Sequence, residues 1–181
     1  GLEARDFRLF DNNHPQEFKV DFTAVPISLV VAIQGDQQVE YFLPKVKTIG
    51  PVIENLIIGE AGEAALLVFD HRMRVLQEFT NDGKLFTKAL DTLKPGSTTS
   101  AMIDAVFQGT RMLKARPANH RKVMLLISET RDRGSEGKLR EALEEAEFNN
   151  ISIYTVNVNR LISNLTAKKQ APRPDPFPPG S

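Results

Sequence analysis

Three short, almost purely apolar runs limit what this chain can become: Ile27–Ile33, Ala65–Phe69 and Val123–Ile127. Each is far shorter than the ~18 residues of a membrane span. Each also lacks the in-out alternation of a half-exposed strand. Runs of this kind suit strands buried on both faces, as in a parallel sheet covered by helices. The segments between them carry helical spacing. Phe42, Val46, Ile49, Val52, Ile53, Leu56 and Ile57 fall on one stripe, broken at Gly50–Pro51 into a kink or two short helices. A second helix, capped by Thr80 or Asn81, runs to about Leu93. A third carries Met102, Ile103, Val106, Met112 and Leu113, and a fourth carries Leu139, Leu143, Ala146 and Phe148. Ile151–Val156 is the next strand, and 158–169 supplies a short final helix.

Strands alternating with helices predict a doubly wound, mostly parallel α/β sheet of Rossmann-like form, with helices on both faces. Val75–Phe79 alternates and follows its neighbour through a tight turn at His71–Arg72, so it is expected antiparallel and at an edge. The Ile27–Ile33 strand is expected beside Val123–Ile127. Residues 27–169 form the domain. Residues 1–26 read as a hairpin-like extension, with Phe7 and Leu9 before an Asn12–Asn13 turn and Phe18, Val20 and Phe22 after it. That much apolar area is expected to pack on the domain. Residues 170–181 hold Pro172, Pro174, Pro176, Pro178 and Pro179 and form a linker or tail, the other reading being a ligand for a proline-recognising domain.

Composition narrows the partners. Lys plus Arg number 23 and Asp plus Glu 23. A balanced chain argues against nucleic acid or an anionic membrane surface as the partner. The absence of cysteine excludes disulfides, thiolate metal sites and a cysteine nucleophile. No apolar run is long enough for membrane insertion. With Gly1 at its start, either a cleavage scar or a native residue, the chain reads as an excised piece.

Ligands of open α/β sheets bind beyond the carboxyl ends of the strands. Three loops should meet there: Gln34–Gln38, Lys94–Ser100 and Glu129–Ser135. Asp6–Asn13 leading through Phe22 to Pro26-Ile-Ser-Leu-Val-Val, then Ala65–Asp70, Leu76–Thr80, Gly96 to Asp104 and Ala105, and Arg121–Ser128 keep one order and spacing over most of the chain. In these residues the chain resembles a von Willebrand factor A domain, and more narrowly the related domains of acidobacterial exported proteins. The resemblance implies a non-enzymatic protein-binding or adhesion module with an unidentified protein partner, exported to the periplasm, cell surface or medium.

The family's metal-ion-dependent adhesion site carries Asp-x-Ser-x-Ser on the first loop, threonine on the second and aspartate on the third. Here those positions fall on Gln34, Asp36, Gln38, Ser100 and Glu129. Only Ser100 is a near-equivalent. Mg²⁺ prefers near-octahedral oxygen ligands. Gln34 removes an anion and Gln38 adds bulk, while Arg131 and Arg133 stand ready to neutralise the remaining carboxylates. The site therefore reads as degenerate, with no resident cofactor; a rearranged or intact Mg²⁺ site is the alternative.

Other constellations are weak. His14, His71 and His120 lie on separate connections with no evident acidic partner. Gly96–Ser100 precedes a helix and has the hydroxyls for an anion site or a helix cap, but no phosphate-binding lysine. Asp132, Glu136, Glu144 and Glu145 read as solvated, and Met102, Met112 and Met124 as core. A purely structural domain in a larger assembly, or a divergent enzyme or nucleotide binder on the same architecture, remain the competing functions.

Overall fold

A computed structural model describes residues 3–19, 25–55, 62–129 and 131–158, leaving aside the side chains of Ala4 and Gln38. A small hairpin, β1 (Leu9–Asp11) with β2 (His14–Gln16), precedes the domain. The domain comprises β3 (Ile27–Gln34), a 3-10 segment at Gln37–Phe42, α1 (Leu43–Lys47), α2 (Gly50–Ile53), β4 (Glu63–Phe69), β5 (Met73–Thr80), α3 (Gly83–Asp91), α4 (Met102–Lys114), β6 (Arg121–Ser128), α5 (Leu139–Phe148) and β7 (Ile151–Asn157).

The sheet order is β5-β4-β3-β6-β7. β3 pairs in parallel with both β4 and β6, β6 pairs in parallel with β7, and β5 is antiparallel at one edge. The expected architecture is thus present, including β3 beside β6. Strand alternation divides the core. Leu29, Val31 and Ile33 point to the face covered by α1, α2 and α3, where Val46, Ile53, Phe86 and Leu90 meet them. Val30 and Ala32 point to the other face, against Ala105, Val106 and Leu113 of α4, with Ala142 and Ala146 of α5 in the same cluster. Met124 is buried there and Met102 and Met112 pack against it, as a core reading requires.

Three local expectations change. The α3 cap is Asp82, whose side chain accepts from the backbone N–H of Lys84 and Leu85, while Thr80 Oγ1 accepts from the Asp82 N–H. A carboxylate beside two orphan helix amides is the stronger acceptor. The hairpin is shorter than the apolar pattern suggested: Asn12 and Asn13, at φ 47° and 63°, make a tight two-residue turn with strands of three residues each. Its apolar residues are not buried against the sheet; Phe7, Leu9, Phe10 and Phe18 are 41–57% exposed. Val20 and Phe22, the Leu56–Gly59 stretch, the final helix over 159–169 and the proline-rich tail lie outside the described residues.

Candidate functional site

The carboxyl ends of β3, β4 and β6 open onto one surface, and backbone hydrogen bonds stitch their loops together. Gly35 N–H donates to the Phe69 carbonyl (2.8 Å), Gly96 N–H to Gly35 (2.6 Å) and Gln37 N–H to Ser97 (3.0 Å). Ala101 N–H donates to Asp70 (2.8 Å) and Arg133 N–H to Ser100 (3.0 Å). The three loops singled out in the sequence therefore converge. Gln34, Asp36 and Ser100 are each at most 2% exposed, and Glu129 is half-buried. Gln38 has its backbone in the 3-10 segment after β3, and its side chain lies outside the described atoms.

Gln34 links the first loop to the third. The Glu129 backbone N–H donates to Gln34 Oε1 (2.7 Å), and Gln34 Nε2 donates to Asp36 Oδ2 (2.9 Å). A backbone N–H can only donate, so the amide oxygen must face Glu129 and its NH₂ must face Asp36. Arg131 and Arg133 do not neutralise the site. Their side chains are exposed, and among the described residues neither forms an ion pair. A neutral amide has taken that place because it reaches both loops from a buried strand end. Ser100 Oγ is buried with no hydrogen-bond partner among the described residues.

A fourth element belongs to this surface and was not singled out in the sequence. Asp70 directly follows β4, and its side chain is 4% exposed. Its Oδ1 accepts from Arg72 N–H (2.8 Å) and lies 3.0 Å from His71 Nδ1. Its Oδ2 accepts from Ser97 N–H (3.3 Å) and Arg74 Nη2 (3.2 Å). A Cβ on Gly96 would land on this carboxylate, which is why the Pro95–Gly96 turn needs glycine. So His71 does have an acidic neighbour, adjacent in sequence at the end of a strand. It also lies 2.7 Å from Ser97 Oγ, through the same Nδ1. A serine relay needs the two ring nitrogens to serve two different partners. Asp70, His71 and Ser97 do not assemble one.

The α4 N-terminus is capped from the third loop and not by the preceding serines and threonines. Asp132 Oδ1 accepts from Met102 N–H (2.7 Å) and from Ser135 Oγ (2.8 Å). Ser135 Oγ accepts from Asp104 N–H (3.1 Å), and the Asp104 carboxylate accepts from the N–H of Glu136 (3.0 Å) and Gly137 (2.9 Å). Asp132 and Asp104, far from being solvated charges, fix the loop's shape. Replacing Asp132 with alanine should cost about 0.5–2 kcal/mol, the range of a lost helix cap. Thermal melts would read it, together with faster amide exchange at Met102 and Asp104. Beside this loop a cavity of about 230 Å³ opens between α4, α5, β6 and β7, walled by Met102, Ile103, Leu126, Leu139, Leu143 and Ile153.

No protein-family model and no curated protein sequence matches the chain. Solved structures do match. One, the von Willebrand factor type A structure from Catenulispora acidiphila, has a TM-score of 0.61 at 16% identity over 74% of this chain and 33% of that one. The fold is that of a von Willebrand factor A domain. BatB from Bacteroides thetaiotaomicron, described as a conserved hypothetical protein, has a TM-score of 0.62 at 16% identity, over 72% of this chain and 66% of its own. The von Willebrand factor domain of the type V pili tip protein Mfa5 from Porphyromonas gingivalis has a TM-score of 0.55 at 18% identity, over 61% of this chain and 40% of its own. The chain thus spans under two thirds of the lengths it matches in these structures. At such identities the likeness establishes the fold. Among the described residues no helix is long and apolar enough to cross a membrane.

Proposed function

We propose that this chain is a non-enzymatic protein-binding module of adhesion type in an exported protein. Its partner docks on the loops at the carboxyl end of the sheet and contacts protein atoms directly, without a bridging cation. The observation that carries this is the Gln34 amide. On this fold the first aspartate of a metal-dependent adhesion site would stand there, and Gln34 instead presents N–H to Asp36 and commits its oxygen to Glu129 N–H. A Mg²⁺ ion at that spot would meet hydrogen-bond donors where it needs anionic oxygen. The donor set of Gln34, Asp36, Ser100 and Glu129 therefore does not fit a resident Mg²⁺, although the orphaned Ser100 Oγ is a remnant that would suit one. The likeness to a pili tip protein's domain supports an adhesive, surface-exposed setting.

Two measurements test this. A bound cation at about 100 times its dissociation constant would add about 2.7 kcal/mol. Melts in millimolar Mg²⁺, Mn²⁺ and chelator should instead superimpose; a cation-dependent rise lost on Ser100→Ala would restore metal-mediated adhesion. The immobilised chain should also retain a protein from envelope or secreted extracts of its source organism in the presence of chelator. Arg131→Glu with Arg133→Glu should abolish that retention, and Lys114→Glu, at the far end of α4, should not. Retention that requires Mg²⁺, or that ignores the loop variants, counts against the proposal.

A further inference from the structure

The chain's charges balance, but its arginines are unevenly paired. In the sheet domain Arg74 pairs with Asp70, Arg116 with Glu63 and Arg140 with Glu144. Arg121 donates to the Tyr154 hydroxyl at 3.4 Å. Arg72, Arg111, Arg131 and Arg133 are exposed, and among the described residues none of them forms an ion pair. Arg131 and Arg133 stand on the third loop. Arg72 and Arg111 flank a groove of about 670 Å³ between the β4–β5 turn and the outer face of α4.

The groove is built from the core outward. Met73 and Phe107 pack partly buried on the cluster beneath and give it an apolar floor. Asp104, Phe107, Gln108 and Arg111 line it from one stripe of α4, at helical spacing. The third loop closes one side with Glu136 and Gly137. A Cβ on Gly137 would fall on the Phe107 ring and on Asp104 Oδ1, so glycine lets the loop lie this close. The Asp104 carboxylate fixes it there by accepting from the N–H of Glu136 and Gly137, and those amides meet its charge. Glu136, exposed, has no side-chain partner among the described residues. Two open guanidiniums thus face one uncommitted carboxylate over an apolar floor. From Asp104 to Arg111 the helix runs about 10 Å, the reach of about three extended residues.

We infer that this groove takes an acidic segment of the partner protein. Its carboxylates meet the forks of Arg72 and Arg111, and an apolar side chain between them rests on Met73 and Phe107. The inference rests on the protein-binding reading and names the partner's chemistry, since the groove shares the third loop with the proposed docking surface. Its test needs no extract. Fluorescence anisotropy of the full chain at physiological salt should show binding of a labelled Glu-Glu-Phe repeat peptide. A Glu-Glu-Ser repeat should bind more weakly, and a Lys-Lys-Phe repeat should not bind. Arg72→Gln and Arg111→Gln should each weaken the Glu-Glu-Phe peptide about three- to fivefold, and Arg72→Glu with Arg111→Glu should abolish binding. Glu136→Gln should tighten it about twofold, and Lys114→Gln, off the groove on the same helix, should leave it unchanged. All these side chains are exposed, so the melting curves should match the wild type. No binding of the Glu-Glu-Phe peptide overturns the inference, as does equal affinity for either control peptide or indifference to Arg72 and Arg111. The adhesion reading would survive any of these, because it is judged by chelator-resistant retention of a protein from extract.

Discussion

Gln34→Glu should destabilise the chain by about 1.5–3 kcal/mol at neutral pH, the cost of losing a buried hydrogen bond to a charged group and setting a second carboxylate in its place. The substitution keeps the shape of the side chain and the oxygen that accepts from Glu129 N–H. It changes only the group facing Asp36 Oδ2, at 2.9 Å, from an N–H donor to a second carboxylate oxygen. Both residues are at most 2% exposed, so water cannot screen the repulsion. Two carboxylates that close cannot both remain ionised, and one takes up a proton. The variant should therefore recover part of its stability relative to the wild type as pH is lowered from 7 toward 5. Millimolar Mg²⁺ should also stabilise the variant and leave the wild type unmoved. Melting curves over pH and cation concentration would check each part. A loss below about 0.5 kcal/mol, the size of an ordinary surface change, would mean that the Gln34 donor does not hold Asp36. An equal Mg²⁺ shift in both proteins would mean that a cation already sits beside Gln34.

The architecture could be read from the sequence because burial on two faces leaves a direct mark. Ile27–Ile33 and Val123–Ile127 show no alternation, and they are the two neighbouring strands at the middle of the sheet. Val75–Phe79 alternates, and it is the antiparallel edge. The convergence of the loops holding Gln34 and Glu129 followed from strand direction, while the resemblance singled out Gln34, Asp36, Ser100 and Glu129 within the loops. What escaped was polar chemistry that depends on the partner's position. Gln34 looked like a lost anion, whereas its amide joins two loops separated by 95 positions. Asp132 looked solvated because its partner amides belong to a helix that begins 30 residues earlier. Asp70 was the one legible miss: an acid directly after a buried strand, next to a histidine and facing a Pro-Gly turn. The hairpin forms, but Phe7, Leu9 and Phe18 stay exposed, since apolar alternation gives a strand its faces and does not supply a surface to cover them.

The opposite end of the sheet carries the other large expected effect. Glu63, at the start of β4, takes a two-pronged hydrogen bond from Arg116, Nε to Oε1 and Nη2 to Oε2, both 2.7 Å. Ser28 of β3 donates to Glu63 Oε1 at 2.6 Å and lies 2.8 Å from His120 Nδ1, just before β6. Arg116 also stacks 4.6 Å from the Phe79 ring centroid. One carboxylate thus ties β3 and β4 to the connection between α4 and β6. Burial pushes the Glu63 carboxyl up, but hydrogen bonds from Arg116 and Ser28, with the charges of Arg116 and His120, outweigh it and hold the group below the ordinary value of 4.5. A carboxyl depressed in the folded state contributes stability that is fully present above its unfolded value. That contribution is lost as pH falls through the folded value. Glu63→Gln should cost about 2 kcal/mol at pH 7, less than a fully buried pair because the Arg116 side chain is 31% exposed. For a chain of this size that is a fall of roughly 4–8 °C in melting temperature. The gap between wild type and variant should stay constant from neutral pH down to about 5 and close below about 4.5. A gap that widens on acidification, or one already absent at pH 7, would show that the Glu63–Arg116 pair does not hold this end of the sheet together.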